Sequence, residues 1–163
     1  MFCLNPNHRQ YDLIFGTEGA SKGNLFIGEW HAVKNREFLS KAKITHVLSA
    51  LTPKSAFFPE LKSLQIEQKI VAISDHPDES ITPHFEPAIE FIGSALQNGN
   101  IFVHCAGGRS RSVSLVVAYL VKEKGMSVQT AIAAIKEKRP EAGPNHHFLQ
   151  ELNAFHAKVN QTS

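Results

Sequence analysis

Ile101-Phe102-Val103-His104-Cys105-Ala106-Gly107-Gly108-Arg109-Ser110-Arg111-Ser112-Val113-Ser114-Leu115-Val116-Val117 runs from one kind of structure into another without a pause. Ile101-Phe102-Val103 reads as a buried strand, β-branched and aromatic, with no polar alternation. The glycine pair marks a tight turn. Ser112 to Lys124 is strongly apolar through Leu115, Val116, Val117, Tyr119, Leu120 and Val121, and Gly125 stops it, so it reads as a central helix. Downstream, Ser127 opens a second helix with Val128, Ile132 and Ile135 on one face, ended by Arg139-Pro140. Asn145 to Val159 forms the last helix, through Phe148, Leu149, Leu152 and Phe155. Upstream, a helix begins near Thr82-Pro83, a capping residue followed by proline at the first helical position. Its residues Phe85, Ile89, Ile92 and Leu96 share one face, and Asn98-Gly99-Asn100 ends it. Lys69–Ile73 and Ile44–Leu48 read as strands, Asn35–Lys43 as a short helix, and Leu25–Ile27 as a short first strand.

Strands that alternate with helices imply an α/β fold with a central, mostly parallel sheet covered by helices on both faces. Residues 1–24 are polar and glycine-punctuated and read as an irregular arm lying on the domain. Residues 25–159 form the single domain, and 160–163 a short tail. A chain of 163 residues with 42% hydrophobic and 20% charged residues has the composition of one globular domain. Seventeen Lys and Arg against 15 Asp and Glu leave a net charge of +2, too little for a broad nucleic-acid-binding field. No apolar run approaches the ~18 residues of a membrane span, and Met1–Gln10 has no signal-peptide core. With only Cys3 and Cys105, a disulfide framework and a multi-cysteine zinc site are both excluded. The expected state is a monomer in a reducing compartment, the cytoplasm, with the nucleus as a second location.

Ligands of such sheets sit outside the carboxyl ends of the strands. The turn after Val103 and the loop after Ile73 both lie there. A tight turn entering a helix aims several backbone N–H groups into one bowl, and the helix N-terminus adds about half a positive charge. Gly107 and Gly108 let the backbone approach a ligand closely. Arg111 can curl back and offer its planar fork to two oxygens. The amides of 106–111 and Arg111 together suit a tetrahedral oxyanion such as phosphate. Cys105 lies at the floor of this bowl, and cysteines at helix N-termini beside Arg ionise readily. Its thiolate is placed to attack phosphorus and form a covalent thiophosphate. Ser112 can give its hydroxyl to that sulfur and ease its departure. His104 reads as a buried orienting residue rather than an acid or base. The plain alternative is a structural cysteine beside an ordinary turn. Five fixed residue types at ~5% each match by chance with a probability of roughly 3 × 10⁻⁷ per start, which disfavours it.

His104-Cys105-x-x-Gly108-x-Ser110-Arg111-Ser112 resembles the signature of the cysteine-dependent dual-specificity protein phosphatases. The resemblance extends from about Leu25 to Phe155, through Asn24-Leu25-Phe26-Ile27-Gly28, Ile44-Thr45-His46-Val47-Leu48, the Asp75 loop and Pro144-Asn145-x-x-Phe148. It implies a protein tyrosine phosphatase-like fold, a mixed sheet flanked by helices, with 25–159 as the catalytic domain. It also implies Cys105 as nucleophile, Arg111 as phosphate clamp, Ser112 as thiolate-release hydroxyl and residues 106–111 as cradle. The chain looks like the small, atypical kind, without the docking domain of the mitogen-activated kinase phosphatases. Two positions depart from the family pattern. Arg109 stands where a hydrophobic residue is common, and either adds positive potential at the rim or points into solvent. His147 stands where Pro-Asn-x-Gly-Phe is common, which puts in question the backbone near Asn145, a support of the site wall in relatives.

A phosphate ester needs a proton on its leaving oxygen, a step worth ~10²–10⁴ in rate. Asp75 and Asp78 share the loop after the strand. Asp75 is nearer the strand end and in the position the resemblance gives to the acid; Asp78 is the runner-up. An ionised cysteine and a protonated acid together predict a bell-shaped pH profile on the acid side of neutrality. No metal or other cofactor is expected; His146-His147 is not a ligand spacing. Phe57-Phe58-Pro59 is either a substrate-facing ridge or core, and Cys3 either a resolving thiol or a disordered terminal residue. The favoured substrate is a phosphorylated protein, on tyrosine and on serine or threonine. The alternatives are the same chemistry on a lipid, an RNA 5′ end or a phosphoglucan, and a catalytically dead phosphate-binding module.

Overall fold

The structure is a computed structural model that describes residues 9–16 and 23–162. Five strands form one sheet: β1 (Tyr11–Phe15), β2 (Leu25–Gly28), β3 (Ile44–Ala50), β4 (Glu67–Val71) and β5 (Asn100–His104), in the spatial order β1-β2-β5-β3-β4. β2, β5, β3 and β4 run parallel, while β1 is antiparallel to β2, so the sheet is mixed. β5 is its central strand. Gly28 of β2 and Ser49 of β3 flank His104 at its carboxyl end.

Alternation along β5 sends Ile101 and Val103 to one face and Phe102 to the other. Helices α3 (Phe85–Asn98), α4 (Arg111–Lys124), α5 (Val128–Lys138) and α6 (His146–Gln161) cover the first face. α4 lies innermost, with ten consecutive buried residues from Ser112 to Val121, which is why its sequence is apolar all round. It ends at Gly125, whose φ of 65° is the left-handed conformation that only glycine adopts without strain. The second face is thinner. A 3₁₀ turn at Trp30–Lys34, α1 (Arg36–Lys41) and α2 (Pro59–Ser63) cover Phe38, Leu39, Phe58, Leu61 and Phe102. Asn35, Ser127 and Asn145 cap α1, α5 and α6 through their side chains.

Four local expectations need correction. Tyr11–Phe15 is not irregular but an edge strand of the sheet. β4 lies two residues before the expected Lys69–Ile73, because its backbone pairs with β3 from His46–Glu67 to Ala50–Val71. At Thr82-Pro83 there is a 3₁₀ turn, with α3 proper starting at Phe85, and the Thr82 hydroxyl makes no cap: it donates to Glu151. α6 runs to Gln161, into the expected tail. Cys3 lies outside the described residues. Among those residues no helix is long and apolar enough to cross a membrane.

Candidate active site

β5 delivers Cys105 to the edge of the sheet, and the chain turns through 106–110 straight into α4. Gly108 has φ 63°, and a Cβ there would stand 2.6 Å from the Gly28 carbonyl and 2.7 Å from an Arg139 nitrogen. Only glycine closes this turn. Ser110 precedes α4 without a side-chain cap, so the first N–H groups of the helix keep the orphan donors of a helix start. Cys105 is a free, buried thiol whose Sγ lies 3.2 Å from the Ser112 Oγ. The Ser112 hydroxyl is thus in place to donate to an ionised sulfur.

His104 is fully buried. Its Nδ1 is 3.1 Å from the Cys105 carbonyl, which can only accept, so the proton sits on Nδ1. Nε2 then accepts from the Ser49 hydroxyl at 2.6 Å, and Ser49 in turn accepts from Gln68 Nε2 at 2.8 Å. Burial pushes the ring down to about 4; the Cys105 carbonyl bond opposes this and the Arg111 charge adds to it. The neutral imidazole holds the peptide of the cysteine in place and stays neutral near pH 7. Phe58 packs edge-on against this ring at 5.5 Å, whereas Phe57 is exposed, so only the first belongs to the core.

Arg111 is the first residue of α4. Its Nη1 donates to the Ile73 carbonyl at 3.2 Å, and its Nε is buried without a protein partner. A buried guanidinium N–H without an acceptor costs free energy unless a ligand supplies one. Arg111 lines a cavity of about 460 Å³ with Trp30, Leu51, Thr52, Ser55 and Ala106. The Trp30 N–H donates to the Ala106 carbonyl at 3.2 Å, which fixes this wall against the turn. Trp30 carries no sequence signal of its own; only the pairing of β2 beside β5 brings it here. Arg109 is exposed, and its carbonyl accepts from the Gly143 N–H at 2.8 Å.

Asp75 and Asp78 are both exposed, but their settings differ. Asp75 Oδ1 accepts from Asn145 Nδ2 at 2.8 Å. Asn145 caps α6 through Oδ1 and donates its backbone N–H to Ser110 Oγ at 2.8 Å. One residue therefore joins the acid loop to the cysteine turn. Among the described residues Asp78 faces only His76, at 3.5 Å, with its side chain 91% exposed. The other end of the loop is held by Glu151 of α6, which accepts from Ser80 Oγ, the Ile81 N–H and Thr82 Oγ1. Burial works to raise the Glu151 carboxyl, yet these bonds hold it below the ordinary carboxylate range. His147 sits in the first turn of α6, 3.4 Å from Glu151, and Asn145 before it caps that helix. Among the described residues no three His, Cys, Asp or Glu side chains gather as a metal site.

Sequence reasoning missed Arg139, which it took for a helix end. It is the largest fully buried side chain and donates to the carbonyls of Gly107 and Gly108 from behind the turn.

The carboxyl end of the central parallel strand thus carries a buried thiol, its serine partner, a glycine turn and an arginine with a buried N–H that has no acceptor. Residues 25–158 match the family "Dual specificity phosphatase, catalytic domain", and the chain belongs to that family. It is 34% identical over 136 residues to dual specificity protein phosphatase 1B of Arabidopsis thaliana, covering 83% of this chain and 79% of the relative. It is 35% identical over 129 residues to dual specificity protein phosphatase 1 of the same plant, covering 78% of this chain but only 63% of the relative. Among solved structures, human tyrosine phosphatase-like serine/threonine/tyrosine-interacting protein superposes with a TM-score of 0.80 at 28% identity, over 94% of this chain and 99% of that one.

Proposed function

We propose that the chain hydrolyses phosphate monoesters on tyrosine and on serine or threonine of proteins, through a cysteinyl-phosphate. The observation that carries this reading is the buried, unpartnered Nε of Arg111 beside the Cys105–Ser112 pair. A phosphoryl group in the bowl gives that N–H its acceptor and meets the amides of 106–111. The Cys105 thiolate then attacks phosphorus, forming an S–P bond as the P–O bond to the leaving group breaks. Asp75 gives its proton to the departing oxygen. In the second half Asp75, now ionised, takes a proton from water as the water oxygen attacks phosphorus. The S–P bond breaks, and the electron pair returns to sulfur, which accepts a hydrogen bond from Ser112. Phosphate leaves with the cradle restored.

Asp75 is preferred to Asp78 because Asn145 ties it to the turn that carries the nucleophile. The curated relatives named above are protein phosphatases, which supports a protein substrate, and nothing in the site calls for a metal. The test is a comparison of phosphotyrosine, phosphothreonine and phosphoserine peptides with a short-chain phosphoinositide at matched concentration. Release of phosphate from the peptides, fastest or alone, supports the reading. Exclusive release from the lipid would replace it.

A further inference from the structure

The Arg139 guanidinium, with five N–H donors, makes four hydrogen bonds and one further ion-pair contact. Nε donates to the Gly108 carbonyl at 2.8 Å and Nη2 to the Gly107 carbonyl at 3.2 Å. Nη1 donates to Asp12 Oδ2 at 2.8 Å and to the Arg9 carbonyl at 3.2 Å, and Nη2 also meets Glu141 Oε1 at 3.3 Å. Arg139 is 0% and Asp12 6% exposed. Asp12 belongs to β1, outside the residues 25–158 that match the family. A buried ion pair is a poor source of stability compared with apolar residues of the same volume. Its presence behind this turn asks for another use.

Peptide geometry supplies one. In a trans peptide the C=O of one residue and the N–H of the next point in opposite directions. Arg139 draws the carbonyls of Gly107 and Gly108 toward itself, on the side away from the bowl. The N–H groups of Gly108 and Arg109 are thereby turned into the bowl. The guanidinium can do this only where its own plane is fixed, and Asp12 fixes it. Arg9 steadies Asp12 in turn, with Nε 3.0 Å from Oδ1 and Nη2 donating to the Lys138 carbonyl at 2.9 Å.

We propose that Asp12, acting through Arg139, is a positioning residue that aims the amides of the phosphate cradle, so that strand β1 is a working part of the active site. The proposal rests on the reading of 105–111 as a phosphate cradle. Asp12→Asn keeps the shape and removes the charge; Asp12→Glu restores the charge. Wild type and both variants are compared by thermal unfolding, by the inhibition constant of vanadate, by kcat and KM on an aryl phosphate, and by the pH profile of Cys105 alkylation with iodoacetate. Folded Asp12→Asn is expected to bind vanadate about tenfold more weakly, the scale of one charge-assisted hydrogen bond lost from the cradle. Its kcat falls and its alkylation profile moves to higher pH, because misaimed amides support the thiolate less. Asp12→Glu recovers part of each. Folded Asp12→Asn with the wild-type vanadate constant and alkylation profile would overturn the proposal. Should Asp12→Asn fail to fold, Arg9→Ala changes an exposed partner of the same carboxylate. It is expected to weaken vanadate roughly two- to threefold, as a partly exposed ion pair would; an unchanged constant then counts against the proposal. Wild type that neither binds vanadate nor turns over would instead refute the cradle reading itself.

Discussion

Acid should unfold this protein partly through one residue, His104. Its ring titrates at 6.5 when free and at about 4 in the folded protein, chiefly because it is fully buried. The unfolded chain therefore takes up a proton as pH falls below 6.5, while the folded chain does not until about 4. Stability is fully present at neutral pH and is lost as pH falls through that window. The whole interval corresponds to about 3 kcal/mol, and about 2 kcal/mol of it is lost between pH 7 and pH 5. Urea unfolding of wild type and His104→Asn at those two pH values isolates the effect. The variant is expected to start about 1–3 kcal/mol less stable, since it breaks the Gln68–Ser49–His104–Cys105 chain of hydrogen bonds. On acidification, however, it should lose about 2 kcal/mol less than wild type. Equal losses in the two proteins would show that His104 is not held neutral, and the hydrogen-bond assignment around it would fall.

Two further outcomes follow from the acid loop. Asp75→Ala should slow hydrolysis of an alkyl phosphate by about 10²–10⁴-fold but have far less effect on p-nitrophenyl phosphate, whose leaving group needs no proton; equal losses on both would move the acid role elsewhere, Asp78 first. Asn145→Ala should cost about 1 kcal/mol in urea unfolding through loss of the α6 cap, and it should reduce alkyl more than aryl turnover because Asp75 loses its tether. An unchanged ratio of the two activities would mean that the Asn145–Asp75 bond does not matter in turnover.

How much was legible in the sequence depends on how local each signal is. The run from Ile101 to Lys124 declared itself because strand, turn and helix follow one another without a gap, and the cysteine, glycine, arginine and serine of the turn serve one ligand. Ser127 was readable as the start of its helix because a cap spans only three residues. β1 was hidden for a physical reason. Its pattern is inverted: acidic Asp12 points inward and Leu13 is 46% exposed. An inward carboxylate makes sense only with Arg139 opposite, 127 residues away in the chain. Distance in the chain also hid Arg139 and Glu151, whose partners come from other elements. Thr82 misled because a hydroxyl before a proline has the look of a cap, while Glu151 in fact holds that turn. Asp75 could be favoured over Asp78 by position alone, but the bond that separates them comes from the start of α6.

The most direct test of the cysteine mechanism is turnover of p-nitrophenyl phosphate in excess metal chelator, from pH 5 to pH 8, by wild type and Cys105→Ser. Wild type should turn over with a bell-shaped profile and stop with vanadate, and Cys105→Ser should be inactive while still binding vanadate or sulfate. Turnover that survives in Cys105→Ser, or that the chelator abolishes in wild type, would contradict the account.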